Sequence, residues 1–172
     1  MSTTPSLQQR PADPSLSSRS NHLPFATAIL LTALIAGTLD AIGATTSFLL
    51  RGSHNPSNIW RYVASGVFGT PALTGGTDMV VYGLLFHYFI AFMCTLVFFL
   101  AYTRIPVLGR YKYITGIVYA LIVWVVTNLL ILPLSRVPTP HFRLQGILIG
   151  MFILVLAIGL PISLLANRWI RK

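Results

Sequence analysis

Four long apolar runs dominate the sequence, and each is long enough to cross a lipid bilayer as a helix. A bilayer crossing takes about 20 apolar residues in an α-helix, because lipid offers no water to satisfy a non-helical backbone. The runs are continuous and do not alternate between polar and apolar residues as barrel strands do. The sequence therefore predicts an all-α membrane protein, a bundle of four transmembrane helices at Phe25–Leu50, Met79–Tyr102, Tyr113–Leu134 and Leu144–Ala166.

The charged residues support this class and predict an orientation. Only 9% of the residues are charged, whereas a soluble domain carries about 25%. Eight of the 12 Lys and Arg residues lie in the N-terminal tail, the second connection and the C-terminus, and the other four lie in the first and third connections. Basic residues concentrate on the cytoplasmic side, so both termini are predicted to be cytoplasmic. No basic run exceeds two residues, which argues against nucleic acid as a partner.

The chain divides into a polar tail, residues 1–22, and a membrane domain, residues 23–172. The tail is rich in Ser, Pro, Thr and Gln, buries little apolar surface and is predicted to be disordered. The first connection contains Ser57–Gly69, which is too short to span but carries Trp60 and Tyr62. These aromatic residues suit the headgroup layer, so a short interfacial helix is predicted there, with a re-entrant segment as the alternative.

Asp40 is the single carboxylate placed inside a predicted span. An ionisable residue in the hydrocarbon layer is costly and requires a partner or a function. The residues three and four positions away are small, namely Ala36, Gly37, Gly43 and Ala44. Small residues at this spacing allow another helix to approach closely, so Asp40 is predicted to face protein and not lipid.

His87 in the second span and Asn128 in the third lie at similar depth to Asp40. Counted from the outer ends of their spans, Asp40 lies about 15 Å deep, His87 about 12 Å and Asn128 about 9 Å. Asp40, His87 and Asn128 therefore form a candidate intramembrane polar cluster. Glycines at helix-packing spacing accompany them, at Gly37, Gly43, Gly83, Gly146 and Gly150.

Two interpretations of this cluster remain open. In the favoured one, the three side chains form a hydrogen-bonded staple that fixes helix register. The protein is then a structural or assembly partner whose Gly/Ala seams bind other membrane proteins or a second copy. In the alternative, Asp40 and His87 are a titratable pair in a proton-coupled transporter of a small solute.

Enzymatic, metal and cofactor chemistry is not predicted. Cys94 is the single cysteine, and His87 is the single histidine within a predicted span, so paired haem ligands are absent. The sequence has no HExxH, G-x-S-x-G or phosphate-binding loop motif. Pro161, inside the fourth span, is expected to loosen or kink that helix.

Five segments resemble a family of small uncharacterised bacterial inner-membrane proteins: 37–40 (GTLD), 61–66 (RYVASG), 83–91 (GLLFHYFIA), 133–138 (PLSRVP) and 159–162 (GLPI). The resemblance covers all of the chain except the N-terminal tail. It implies a bacterial cytoplasmic membrane and a four-helix arrangement, and it implies no activity.

Overall fold

The computed structural model describes residues 24–137 and 144–170. The helices of this part are α1 (Phe25–Leu50), α2 (Ser57–Phe68), α3 (Thr77–Arg104), α4 (Val107–Arg110), α5 (Lys112–Leu134) and α6 (Leu144–Ile170). A short 3-10 turn, Thr70–Thr74, joins α2 to α3. The predicted disordered tail lies outside the described residues.

Four of these helices, α1, α3, α5 and α6, are long and apolar enough to cross a membrane. The predicted all-α class and four-helix bundle are confirmed, and the chain is a multi-pass membrane protein. Its spans are slightly longer than predicted, because α3 begins at Thr77 and ends at Arg104, and α6 continues to Ile170. The interfacial segment forms a helix from Ser57 to Phe68.

The four spans form a ring in which α1 contacts α3 and α6, and α6 contacts α5. Aromatic side chains close the ring between α3 and α5, where the rings of Phe98 and Tyr119 lie 4.8 Å apart. One end of the ring carries Phe25 and Ile170, and we call it the terminal end. The opposite end carries α2, and we call it the α2 end.

The tightly packed core lies in the terminal half. Its largest fully buried side chains are Phe98, Phe99 and Ile162, supported by buried Ala28 and Ala166. The outer segments of α5 and α6 on the α2 side, 126–134 and 144–154, contain no buried residue. The bundle is therefore close-packed at the terminal end, whereas at the α2 end α5 and α6 are loosely packed and α2 packs closely on α3.

Hydrogen bonds to backbone carbonyls tie the helices together in the terminal half. Tyr119 on α5 donates its hydroxyl to the carbonyl of Cys94 on α3 at 2.6 Å. Ser163 on α6 donates to the carbonyl of Lys112 on α5, also at 2.6 Å. Such bonds satisfy polar groups that lipid would leave unpaired, so they fix the relative positions of the helices.

Both α5 and α6 contain a π-helical segment that ends two residues before a proline. Val126–Ile131 precedes Pro133, and Val155–Gly159 precedes Pro161. A proline ring clashes with the carbonyl of the residue four positions before it. In both helices that carbonyl lies within the π-helical segment, whose turns are wider than those of an α-helix. Pro161 thus loosens α6 as a local π turn, and Pro133 does the same in α5.

The amphipathic helix α2 crosses α3. Trp60, near the start of α2, packs against Gly83 and His87, whereas Phe68, at its end, lies 5.2 Å from the ring of Tyr82. Because both ends of α2 contact the same one and a half turns of α3, α2 runs across α3 and not along it. That direction is expected of an interfacial helix, whereas a re-entrant segment would run along its neighbour.

Candidate functional site

Asp40 lies on the face of α1 that points into the bundle. Gly37, one turn before it, packs against α3, and Gly43, one turn after it, packs against Ile153 of α6. Buried Ala33 and Ala36 share this face. The small side chains around Asp40 keep α3 and α6 close to α1, so the carboxylate is held between helices as predicted.

The carboxyl group of Asp40 lies within electrostatic range of the His87 imidazole and of the Cys94 thiol. Within the described ranges, 24–137 and 144–170, Asp40 accepts no hydrogen bond and forms no ion pair within 4 Å. Asp40 and His87 are therefore near each other in the bundle without the direct hydrogen bond of the predicted staple.

His87 directs its Nε2 atom to the backbone of α1. Nε2 lies 2.8 Å from the carbonyl oxygen of Gly37. A carbonyl oxygen only accepts, so Nε2 carries a hydrogen and donates it. Nδ1 is then the atom that takes up a proton when the ring becomes an imidazolium.

Aromatic rings surround His87. The Trp60 ring of α2 packs edge-on at 5.4 Å, and the Tyr88 ring packs at 5.5 Å on another side. The hydroxyls of Tyr88 and Thr38 form a second link between α3 and α1, with 3.0 Å between their oxygens. His87 thus lies where α1, α2 and α3 meet, so a change in its charge would alter its interactions with all three helices.

Among the described residues, Asn128 forms no hydrogen bond with Asp40 or His87. Its side-chain amide donates to the carbonyl of Trp124, one turn earlier in α5, at 3.0 Å. The predicted grouping of Asn128 with Asp40 and His87 rested on equal depth alone. Equal depth does not fix the face of a helix, and the π segment that contains Asn128 further changes which face each residue occupies.

The glycines predicted to pack helices all contact this chain itself. Gly37 meets Ala91 and Tyr88, and Gly43 meets Ile153. Gly83 meets the backbone of α2, as described above.

The two predicted glycines of α6 also contact this chain itself. Gly146 lies beside Arg51, which donates to the Gly146 carbonyl at 3.3 Å, and Gly150 faces the indole of Trp124. Each of these five glycines therefore contacts another part of this chain, and Gly43, Gly146 and Gly150 are half-buried.

Two arginines of the first and third connections, Arg61 and Arg136, have contacts other than Asp40. Arg61 donates from Nη1 to Asn58 at 3.1 Å, and its buried Nε has no acceptor among the described residues. The backbone amide of Arg136 donates to the carbonyl of Gly66 at 3.1 Å, which ties the end of α5 to α2. Within the described part of the chain, neither guanidinium forms an ion pair with Asp40.

Sequence reasoning missed Trp60, Thr38 and Tyr88 as members of this site. The spacing of Gly83 and His87, one turn apart on α3, did signal a close approach to that face. The element that approaches this face of α3 is α2. The spacing on α3 could not identify it, because which element lies there depends on the path of the first connection.

Two surface cavities lie beside α1, one between α1 and α2 and the other between α1 and α3. The larger, about 300 Å³, is lined by one residue of α2 and five of α1: Trp60, Thr38, Ala41, Ile42, Thr45 and Thr46. The other, about 290 Å³, is lined by Leu30, Ala33, Leu34, Tyr88, Phe89 and Phe92. Neither cavity is lined by Asp40 or His87.

The fold and this site define an α-helical multi-pass membrane protein with a half-buried aspartate and a half-buried histidine close to each other inside the bundle. No family model, curated protein or solved structure matches the chain. Its activity must therefore be argued from its own geometry.

Proposed function

We propose that the chain resides in the bacterial cytoplasmic membrane with both termini in the cytoplasm. The excess of basic residues at the terminal end and in the second connection supports this orientation. The resemblance to small bacterial inner-membrane proteins supports the compartment. In this orientation the α2 end, with the loosely packed segments of α5 and α6, faces the outside.

In this membrane, we further propose, Asp40 and His87 form a proton-binding site that couples proton uptake to the movement of a small solute. The observation that carries this proposal is which groups surround the Asp40 carboxylate and how they contact it. A structural staple needs direct hydrogen bonds, and Asp40 accepts none from the described residues, yet it lies within range of the His87 charge. Ionisable groups are retained inside membranes chiefly where they bind or relay ions.

The site offers one proton acceptor on each of two helices. A proton binds the Asp40 carboxylate on α1 or Nδ1 of His87 on α3, since Nε2 is occupied by Gly37. The proton arrives from the α2 end, because the aromatic core around Phe98 and Phe99 blocks the terminal end. Release on the other side requires the core to loosen, and the π segments of α5 and α6 are the places where helices rearrange at low cost.

A structural or assembly role remains the second candidate, and one observation favours it. The two cavities beside α1 are lined by neither Asp40 nor His87, so neither cavity delivers a solute to these two residues. In that role, the partner contacts the lipid-facing surface of the bundle, since the five predicted glycines are used internally.

Replacing Asp40 with Asn is expected to abolish proton-coupled flux while leaving the fold intact, because Asn keeps the shape and cannot ionise. The full chain is reconstituted in vesicles that contain a pH-sensitive dye. Amino acids, organic cations and organic anions are added one at a time. The wild-type chain is expected to move protons with at least one solute class, and D40N with none.

The matched control is Asn128→Ala, which removes a polar side chain at similar depth whose only described bond lies within its own helix. This variant is expected to keep the flux. Equal flux in wild-type and D40N vesicles would refute the proton-coupled function. A protein that co-purifies with both wild type and D40N, without flux in either, would establish the assembly role.

A further inference from the structure

The outer segment of α6, Leu144–Leu154, contacts α1 on the α2 side of Asp40. Gly43 follows Asp40 by three residues and lies about 4.5 Å nearer to the α2 end of α1. A Cβ atom added at Gly43 would lie 2.6 Å from Cγ2 of Ile153, so Ile153 packs directly on the α1 backbone there. Ile153 therefore lies between Asp40 and the α2 end, where it narrows the way to the carboxyl group.

The packing of α6 changes at its π segment, Val155–Gly159. This segment has three buried residues, whereas the outer segment has none. A Cβ atom added at Gly159 would lie 2.8 Å from Cβ of Ala120, whereas the nearest atom at Gly150 is Nε1 of Trp124 at 3.8 Å. A π turn beside a proline is a place where a helix bends. The outer segment is thus a loosely packed rod that continues from a tightly packed hinge.

The far end of the outer segment is held by a side chain of α1. Arg51 donates from Nη2 to the carbonyl of Gly146 at 3.3 Å, and this hydrogen bond is exposed. The neighbouring end of α5 is tied by its backbone, because the amide of Arg136 donates to the carbonyl of Gly66 on α2. Within the described ranges, no backbone hydrogen bond joins the outer segment of α6 to another helix. The outer segment of α6 can therefore move without disturbing α2.

We propose that the outer segment of α6 is a gate that swings away from α1 at the π segment and opens Asp40 to the α2 end. In the closed state Ile153 packs on Gly43 and Arg51 holds Gly146. Opening breaks these two contacts and keeps the hydrogen bonds of the terminal half. This inference rests on the proposed proton-binding function, because it names the motion that admits a proton from the α2 end. The motion itself is measurable without flux.

Pairs of nitroxide spin labels measure the motion in the full chain, with the single native cysteine removed by Cys94→Ala. One pair, Val81→Cys with Leu148→Cys, joins exposed positions of α3 and α6 at the α2 end. The control pair, Leu100→Cys with Arg168→Cys, joins exposed positions of the same two helices in the terminal half. Double electron–electron resonance in lipid vesicles is expected to give two distances for the first pair and one for the control pair.

Removing the contact of Arg51 is expected to favour the open gate. Arg51→Ala, added to the first label pair, is expected to raise the share of the longer distance about twofold or more, because the hydrogen bond to Gly146 is lost. Arg104→Ala, at the terminal end, is the matched control and is expected to leave the distances unchanged. Circular dichroism and gel filtration report whether each variant is folded, and Cys94→Ser replaces Cys94→Ala if the latter does not fold.

A disulfide connects the gate to the proton site. Cβ atoms about 3.5–4.5 Å apart suit a disulfide, and a Cβ atom at Gly43 would lie 3.7 Å from Cβ of Ile153. Gly43→Cys with Ile153→Cys, in the Cys94→Ala chain, is expected to cross-link on oxidation. The cross-link is expected to stop the proton flux that the pH-sensitive dye reports, and dithiothreitol is expected to restore it. Ile153→Cys alone is the control, and oxidant is expected to leave its flux unchanged.

Two results would overturn the gate. The first is a single distance for the label pair at the α2 end that Arg51→Ala leaves unchanged. The second is proton flux at the full rate in the cross-linked chain. Two distances at the α2 end without flux in the wild-type chain would instead refute the proton-coupled function, and they would still establish the moving segment.

Discussion

Replacing Gly83 with alanine is expected to separate α2 from α3 and to lower the free energy of unfolding by about 2–3 kcal/mol. A Cβ atom added at Gly83 would overlap the backbone carbonyl of Trp60. A backbone group cannot rotate away as a long side chain can, so the whole of α2 has to move. The change also withdraws the Trp60 ring from His87, which makes Gly83 a determinant of the site as well as of the fold.

The free energy of unfolding is measured by titrating the purified protein from mild detergent into dodecyl sulfate while following tryptophan emission. Limited trypsin digestion reports the position of α2, because Arg61 becomes accessible when the helix detaches. Gly66→Ala is the matched control. A Cβ there would meet its nearest atom at an ordinary 3.7 Å, and alanine favours a helix over glycine by about 1 kcal/mol.

Gly66→Ala is therefore expected to leave the unfolding free energy unchanged or to raise it. If Gly83→Ala and Gly66→Ala had equal stability and equal resistance to trypsin, α2 would not be packed on α3 as described.

Replacing Gly159 with alanine is expected to push α6 away from α5, with a loss of about 2–3 kcal/mol in the free energy of unfolding. The added Cβ would overlap the carbonyl oxygen of Gly116 and would lie 2.8 Å from Cβ of Ala120. Gly159 is also the last residue of the π segment of α6, which has to keep its width before Pro161. No flexible atom at this contact is available to move aside.

Gly150→Ala in the same helix is the control, since its nearest neighbour is the Trp124 indole nitrogen at 3.8 Å. That variant is expected to change the unfolding free energy by less than about 1 kcal/mol. The same dodecyl sulfate titration measures both variants. Equal stability of the Gly159 and Gly150 variants would contradict the close approach of α5 and α6.

The sequence predicted the fold well because the constraint behind it is simple. A run of apolar residues in lipid has to be helical, so span number and approximate ends follow from length alone. Span α1 matched its predicted range, and α3 and α6 extended beyond theirs through end residues that fit the membrane surface. The π segments were not predicted, because a proline in the sequence indicates that the helix is distorted there but not which form the distortion takes.

The site was predicted in part, and the limits differ from residue to residue. The small neighbours of Asp40 correctly placed it between helices, and the depth of His87 correctly placed it near Asp40. The described hydrogen bond of Asn128 stays within its own helix, and depth alone could not predict this because depth says nothing about the direction a helix faces. Trp60 was taken for a headgroup anchor, and only the crossing of α2 over α3 brings its ring to His87.

The central claim is that Asp40 binds and releases a proton inside the bundle, with His87 as the neighbour that responds. Infrared difference spectroscopy of the full chain in lipid bilayers, titrated over pH, detects the C=O stretch of a protonated carboxyl directly. A titrating carboxyl band is expected in the wild-type chain, and it is expected to be absent in D40N and shifted in pH by His87→Gln. A spectrum in which D40N and wild type show the same carboxyl bands at every pH would contradict this claim.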